Sequence, residues 1–234
     1  MSFVRKFVSI YRTDLKLLRR DPMLLYSVGM TLILLFVVRY FKVRMGMLYP
    51  LVALLVLVFI PMIFGMIPGF MMADEKEDKT IQALQVIPIS SEAFLAYRLT
   101  WASLITAALT AVAPKILEIE VPRRGVLALV ALFVLEVWIY GLLIVIFAES
   151  RMQALTVSKI LGWLLMLPPA VKLLVVWRNL STDWSKLTAF LPTYWTYRVF
   201  EGIALNDYGD FPVAVAVHLA WLVPLVVLFR RRVV

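Results

Sequence analysis

The sequence contains no cysteine and a single histidine, His218, in 234 residues. A disulfide framework, a thiol nucleophile and a cysteine or histidine metal cluster are therefore excluded. Acidic residues are also scarce, 15 against 24 Lys and Arg, and charged residues make up only 17% of the chain. A soluble domain carries about 25%. No G-x-x-x-x-G-K-[ST] phosphate loop occurs, so the chain cannot hydrolyse ATP by that route itself. Internal repeats, low-complexity linkers and a separable soluble domain are missing too, and residues 1–234 read as one unit. What remains is apolar: 63% hydrophobic residues and a mean hydropathy of +0.91. This is the composition of an all-α polytopic membrane protein. A net charge of +9 would suit nucleic acid, but the basic residues sit beside apolar runs, where lipid headgroups are the better partner. No nucleic-acid partner is expected.

The first 21 residues predict an interfacial helix. In SFVRKFVSIYRTDLKLLRR, Phe3, Phe7, Ile10, Tyr11, Leu15 and Leu18 recur at helical spacing, with Arg5, Arg12, Lys16 and Arg19 on another face. The stretch lacks the short apolar core and cleavage site of a secretory signal. Asp21-Pro22 then resembles an N-cap followed by proline at the first helical position.

Six spans are predicted, at 23–41, 47–73, 94–114, 126–148, 153–177 and 212–229. The second is about 40 Å long, more than the roughly 30 Å of hydrocarbon, so it must tilt, kink at Pro61 or Pro68, or project. With both termini cytoplasmic, 14 of the 24 Lys and Arg lie inside, among them the clusters at 5–20 and 230–232. The positive-inside rule therefore places both termini in the cytoplasm of a multi-pass cell-membrane protein.

Between spans 2 and 3 the chain reads DEKEDKTIQALQVIPIS, six charged residues in a row after the uncharged stretch Met47–Ala73. Asp74, Glu75, Glu77 and Asp78 suit the first turn of a helix, where carboxylates offset the positive dipole end. Ile81, Leu84 and Ile87 give that helix an apolar stripe, Pro88 stops it, and Ser90 or Ser91 can cap the next. A docking element for a soluble partner and a solvated connecting loop both fit this pattern.

The stretch EKEDKTIQALQVIPISSEAFLAYR resembles the cytoplasmic loop of type-2 ABC exporter permeases, through Thr80-Ile81, Leu84, Pro88-Ile89-Ser90, Leu95 and Arg98. Lys79, Gln82 and Tyr97-Arg98 depart from the usual Gly, Glu and Gly-Lys. The resemblance extends to the order of interfacial helix, six spans and a long loop before the last span. It implies that residues 74–92 form a coupling helix on a separate ATPase subunit, with Glu75, Glu77, Asp78, Thr80, Ile81, Leu84, Pro88 and Ser90 in the contact. ATP and magnesium would be bound by that subunit and no cofactor by this chain. It also implies a second permease copy, identical or related, and a substrate path near the interface between the two. The loop 178–211, with LPTYW followed by RVFEGI, resembles the family's external helical hairpin. Its Tyr194 and Trp195 fit an aromatic belt at the headgroups and an exit gate equally well.

Glu136 lies near the middle of span 4, where an ionised carboxylate costs about 2.5–3.5 kcal/mol even on permissive scales. Two roles stay open for it: an ion pair with Lys172 of span 5, and a part in handling substrate or protons. Arg98 and Lys159, nearer span ends, are expected to snorkel. His218 suits a helix–helix hydrogen bond, and Gly65 and Gly69 have the spacing of a close helix contact. A membrane-embedded enzyme would need clustered acids or histidines, of which the 74–78 acids are the sole candidate, and an assembly factor would need no coupling loop. The expected function is the membrane subunit of an ATP-driven exporter of a small or lipophilic, drug-like substrate. It is not an enzyme in its own right. The heme-exporter permease of cytochrome maturation is the nearest alternative.

Overall fold

The computed structural model describes residues 22–78, 91–180 and 184–233. The interfacial-helix stretch 1–21 and the coupling residues Thr80, Ile81, Leu84, Pro88 and Ser90 lie outside them. The described chain is helical, with no strand among the described residues. It runs α1 (Pro22–Tyr40), a single turn Lys42–Met45, α2 (Tyr49–Glu77), α3 (Ser91–Ile116), α4 (Arg123–Phe147), α5 (Arg151–Trp177), α6 (Pro192–Ala204) and α7 (Phe211–Val233). All but α6 and the turn are long and apolar enough to cross a membrane, six spans in all. Each starts and stops within a few residues of its hydropathy-based bounds.

The expectation for the acidic run needs correction. Asp74, Glu75 and Glu77 do not open a new helix. They form the last turn of α2, and Asp78 caps it, its N–H donating to the Asp74 carbonyl at 2.9 Å. Nothing between Ala73 and Asp78 breaks a helix, and Glu and Lys are good helix formers. Carboxylates at a helix C-terminus oppose the dipole, so the turn depends on the cations around it.

α4 is the axis of the bundle. Most of its residues are buried, whereas few of those of α1 and α7 are, and it touches α2, α3, α5, α6 and α7. Small residues let α2 approach it. A Cβ built on Gly65 would stand 2.7 Å from Tyr140 Cβ and 2.8 Å from the Val137 oxygen, and one on Gly69 would stand 2.8 Å from Ile144 Cβ. The four-residue glycine spacing thus marks a real contact, and Pro68 between the two does not interrupt the helix.

α3, α5 and α6 end alike. Glu118, Asn179 and Asn206 adopt φ of 52°, 50° and 56°. The N–H of each returns to the carbonyl three residues back, and the next N–H to the carbonyl five back, which is the Schellman arrangement. Asn suits the left-handed position; Glu118 occupies it with its side chain held by Arg39 (2.5 Å) and Lys42 (3.4 Å).

α6 is buried among the spans. In its first turn Thr193 donates to the Leu165 carbonyl at 2.6 Å, and Leu165 lies about 18 Å inside the end of α5. Its last turn sets Ile203 against Gly125 at the start of α4. The helix therefore climbs from mid-depth to the end of the bundle that carries Glu118.

Candidate functional site

Two polar assemblies stand out. The first lies at the foot of α2. Consecutive helical residues point about 100° apart, so Asp74 through Glu77 sweep most of a circle and reach different neighbours. Glu75 makes a short ion pair with Arg98 of α3. Lys76 reaches α4, donating to the Val145 and Ala148 carbonyls at 2.6 and 3.1 Å and pairing with Glu149 at 3.3 Å. It thereby satisfies the last carbonyls of α4 and sets a cation at its negative end. Glu77 accepts the Arg151 backbone N–H at 2.9 Å, at the positive start of α5, and Asp74 stands 3.9 Å from the Arg151 guanidinium. The Ser150 side chain accepts from Gln153 N at 3.3 Å and Gln153 reaches back to Glu149 N at 2.8 Å, a reciprocal cap on α5. One turn of α2 is tied to three other spans. Arg98, expected to snorkel, is instead held in this network, its side chain only 17% exposed.

The second assembly is internal. Glu136 is the fourteenth of the 25 residues of α4, about 20 Å from its start and about 16 Å from its end, and is 1% exposed. Thr196 of α6 donates its hydroxyl to Glu136 Oε1 at 2.5 Å. His218 of α7 places Nε2 3.4 Å from the same oxygen and 3.4 Å from Thr196 Oγ1, while its Nδ1 lies 2.7 Å from the Ala214 carbonyl. Glu136 Oε2 and Tyr140 Oη, one turn apart on α4, are buried without a hydrogen-bond partner among the described residues.

The expected Glu136–Lys172 pair does not form. Lys172 is five residues, about 8 Å, from the end of α5, whereas Glu136 is about 20 Å from the same end of the bundle. Lys172 instead pairs with Glu201 of α6 at 3.5 Å and lies over the Tyr197 ring at 5.4 Å. Tyr194 is buried, with Trp195 and Tyr197 edge-on to it at 5.4 and 5.8 Å, and Trp195 donates to the Ala189 carbonyl at 2.8 Å. Both face protein and form part of the packing of α6. His218 does make the helix–helix contact expected of it. Thr196 and Glu201 were missed, and no local pattern in RVFEGI or LPTYW marks them.

At the Glu118 end a cavity of about 520 Å³ opens among Lys42, Tyr49, Glu118, Glu120, Phe200 and Ile203. Ligand sites for drug-sized molecules span roughly 300–1,000 Å³.

Six apolar spans with α4 at their centre, one buried polar cluster inside them, and no soluble domain in the described residues make this a multi-pass membrane protein. The chain belongs to the fluoroquinolones export permease protein Rv2686c-like family, whose profile matches residues 14–229. It is 25% identical to two proteins of Mycobacterium tuberculosis, the fluoroquinolones export permease proteins MT2760 of strain CDC 1551 / Oshkosh and Rv2686c of strain H37Rv. Each alignment of 250 positions covers 97% of this chain and 94% of the relative. No solved structure matches the chain. The match agrees with the resemblance to ABC exporter permeases.

Proposed function

We propose that this chain is the single-domain transmembrane subunit of an ATP-driven exporter of small, drug-like molecules. A separate ATPase subunit binds ATP and magnesium and docks on the loop within residues 74–92, and a second permease copy completes the translocation path. Both termini and the Asp74 end face the cytoplasm, and the segment around α6 forms a re-entrant hairpin from the outer side. The observation that carries this reading is the joint at the foot of α2. A force applied to the chain after Asp78 is passed directly to α2, α3, α4 and α5 through Asp74, Glu75, Lys76 and Glu77. A connecting loop that merely separated two spans would have no use for such anchorage.

The cavity beside Glu118 and Glu120 has the size of a fluoroquinolone-like substrate, the class named for the relatives. Its apolar walls and opposite charges suit a molecule with both characters. A heme-exporter role is disfavoured, because His218 is fully buried and turned inward to Ala214 and Glu136.

Replacing Leu84 with Asp puts a charge on the docking stripe. Co-purification with the ATPase and fluoroquinolone-stimulated hydrolysis should both be lost, while the thermal stability of the permease stays unchanged. Survival of both activities would refute the docking role.

A further inference from the structure

The sole histidine of the chain and the sole charged residue in the interior of α4 meet in a geometry that counts protons. His218 Nδ1 lies 2.7 Å from the Ala214 oxygen. A carbonyl only accepts, so Nδ1 carries a hydrogen. Thr196 spends its one hydroxyl hydrogen on Glu136 Oε1 at 2.5 Å and has none left for Nε2. A neutral imidazole would then aim its Nε2 lone pair at Oε1, 3.4 Å away. If Glu136 were a carboxylate, two acceptors would face each other with nothing between them.

One additional proton removes the conflict. It makes either an imidazolium facing a carboxylate or an imidazole facing a carboxylic acid. Both forms have zero net charge, which is what burial at 0% and 1% exposure demands. Without the proton the pair carries −1 in the core of the bundle; with a second it carries +1.

The neighbours supply no compensating charge. On α4 the titratable group nearest along the helix is Tyr140, and α7 has none besides His218 between Phe211 and Phe229. α2 has no charge from Leu51 to Ala73, and the charges of α3, Glu92, Arg98 and Lys115, lie toward its ends. On α6, Glu201 is engaged by Lys172 of α5 at 3.5 Å and Arg198 by Asp210 at 3.0 Å, while the Tyr197 ring lies beneath Lys172.

We propose that Glu136 and His218 form a binding site for a single proton at mid-depth in the bundle, clasped by Thr196, which joins α4, α6 and α7. The site belongs to the folded chain and stands apart from the exporter reading. Any motion that parts α6 and α7 from α4 must decide which residue keeps the proton.

Because His218 is unique, ¹⁵N-histidine labelling gives one imidazole spectrum. In lipid vesicles at pH 7 it reports whether Nε2 is protonated, and infrared subtraction of Glu136→Gln from the parent reports whether Glu136 is a carboxylic acid. The expected sum is one: a protonated Nε2 with no acid band, or a bare Nε2 with an acid band that the variant abolishes. A sum of zero or of two overturns the proposal. Should Glu136→Gln not fold, Glu136→Asp serves the same subtraction by displacing the acid band.

Discussion

At the foot of α2 the protein gathers full charges of both signs within one helical turn, and at mid-depth it admits a single carboxylate with a single imidazole. The two assemblies answer to different solvents. Near the Asp74 end the outermost partners reach solvent, Asp74 at 41% and Arg151 at 70% exposed, so water helps to screen what the geometry leaves uncompensated. Glu136 is 1% exposed, so bulk water cannot screen it and its charge must be cancelled by its neighbours. The first assembly can lose a member and remain soluble in its surroundings. The second cannot.

That difference sets the largest expected effect. His218→Leu leaves Glu136 with only the Thr196 hydroxyl and should destabilise the permease by about 3–5 kcal/mol, the cost of breaking a buried pair by removing one partner. The double variant Glu136→Leu/His218→Leu should recover most of the loss, since an apolar replacement of both partners is often neutral. Thermal unfolding in detergent measures both. A single variant as stable as the parent would erase the distinction between the two assemblies.

The joint should respond more mildly and in a different observable. Arg98→Ala removes the cation paired with Glu75, whose side chain is 26% exposed, and should cost about 1–3 kcal/mol, in the range for a lost charge-assisted hydrogen bond. The proposed coupling predicts that substrate-stimulated ATP hydrolysis falls further than this stability loss explains, while binding of the ATPase subunit persists. Unchanged stimulation would reduce the joint to an anchor with no part in transmission.

The contrast between the regions also explains what was legible in advance. Span positions follow from local hydropathy, so residues 23–41 and Pro22–Tyr40 differ by one residue at each end. The charged run DEKEDK is visible too, but its acids close α2 and do not open a new helix. Dipole reasoning favours acids at an N-terminus, and tertiary partners, Arg98 for Glu75 and Arg151 for Asp74 and Glu77, make them acceptable at the end of α2. Pairing at mid-depth was beyond reach, because Glu136, Thr196 and His218 are separated by 60 and 22 residues and carry no shared motif. Depth arithmetic alone argues against Lys172 as the partner, since helices of known length put it about 12 Å too near the bundle end.

The smallest expected effect tests that reassignment directly. Lys172 and Glu201 form a pair with 18% and 35% of their side chains exposed, so solvent screens it and Lys172→Met should cost no more than about 1 kcal/mol. Glu136→Gln should be tolerated, because its amide can donate to both His218 Nε2 and Thr196 Oγ1 in place of the shared proton. If Lys172 served Glu136, Glu136→Gln would strand a buried lysine, and the second change would relieve it. The geometry says otherwise, so the effects of Glu136→Gln and Lys172→Met should add to within about 0.5 kcal/mol, as for sites with no common partner. Lys172→Met and Glu201→Gln, by contrast, should fall short of additivity by a few tenths of a kcal/mol. A coupling energy between positions 136 and 172 larger than that between 172 and 201 would return Lys172 to the buried site and undo the separation of the two.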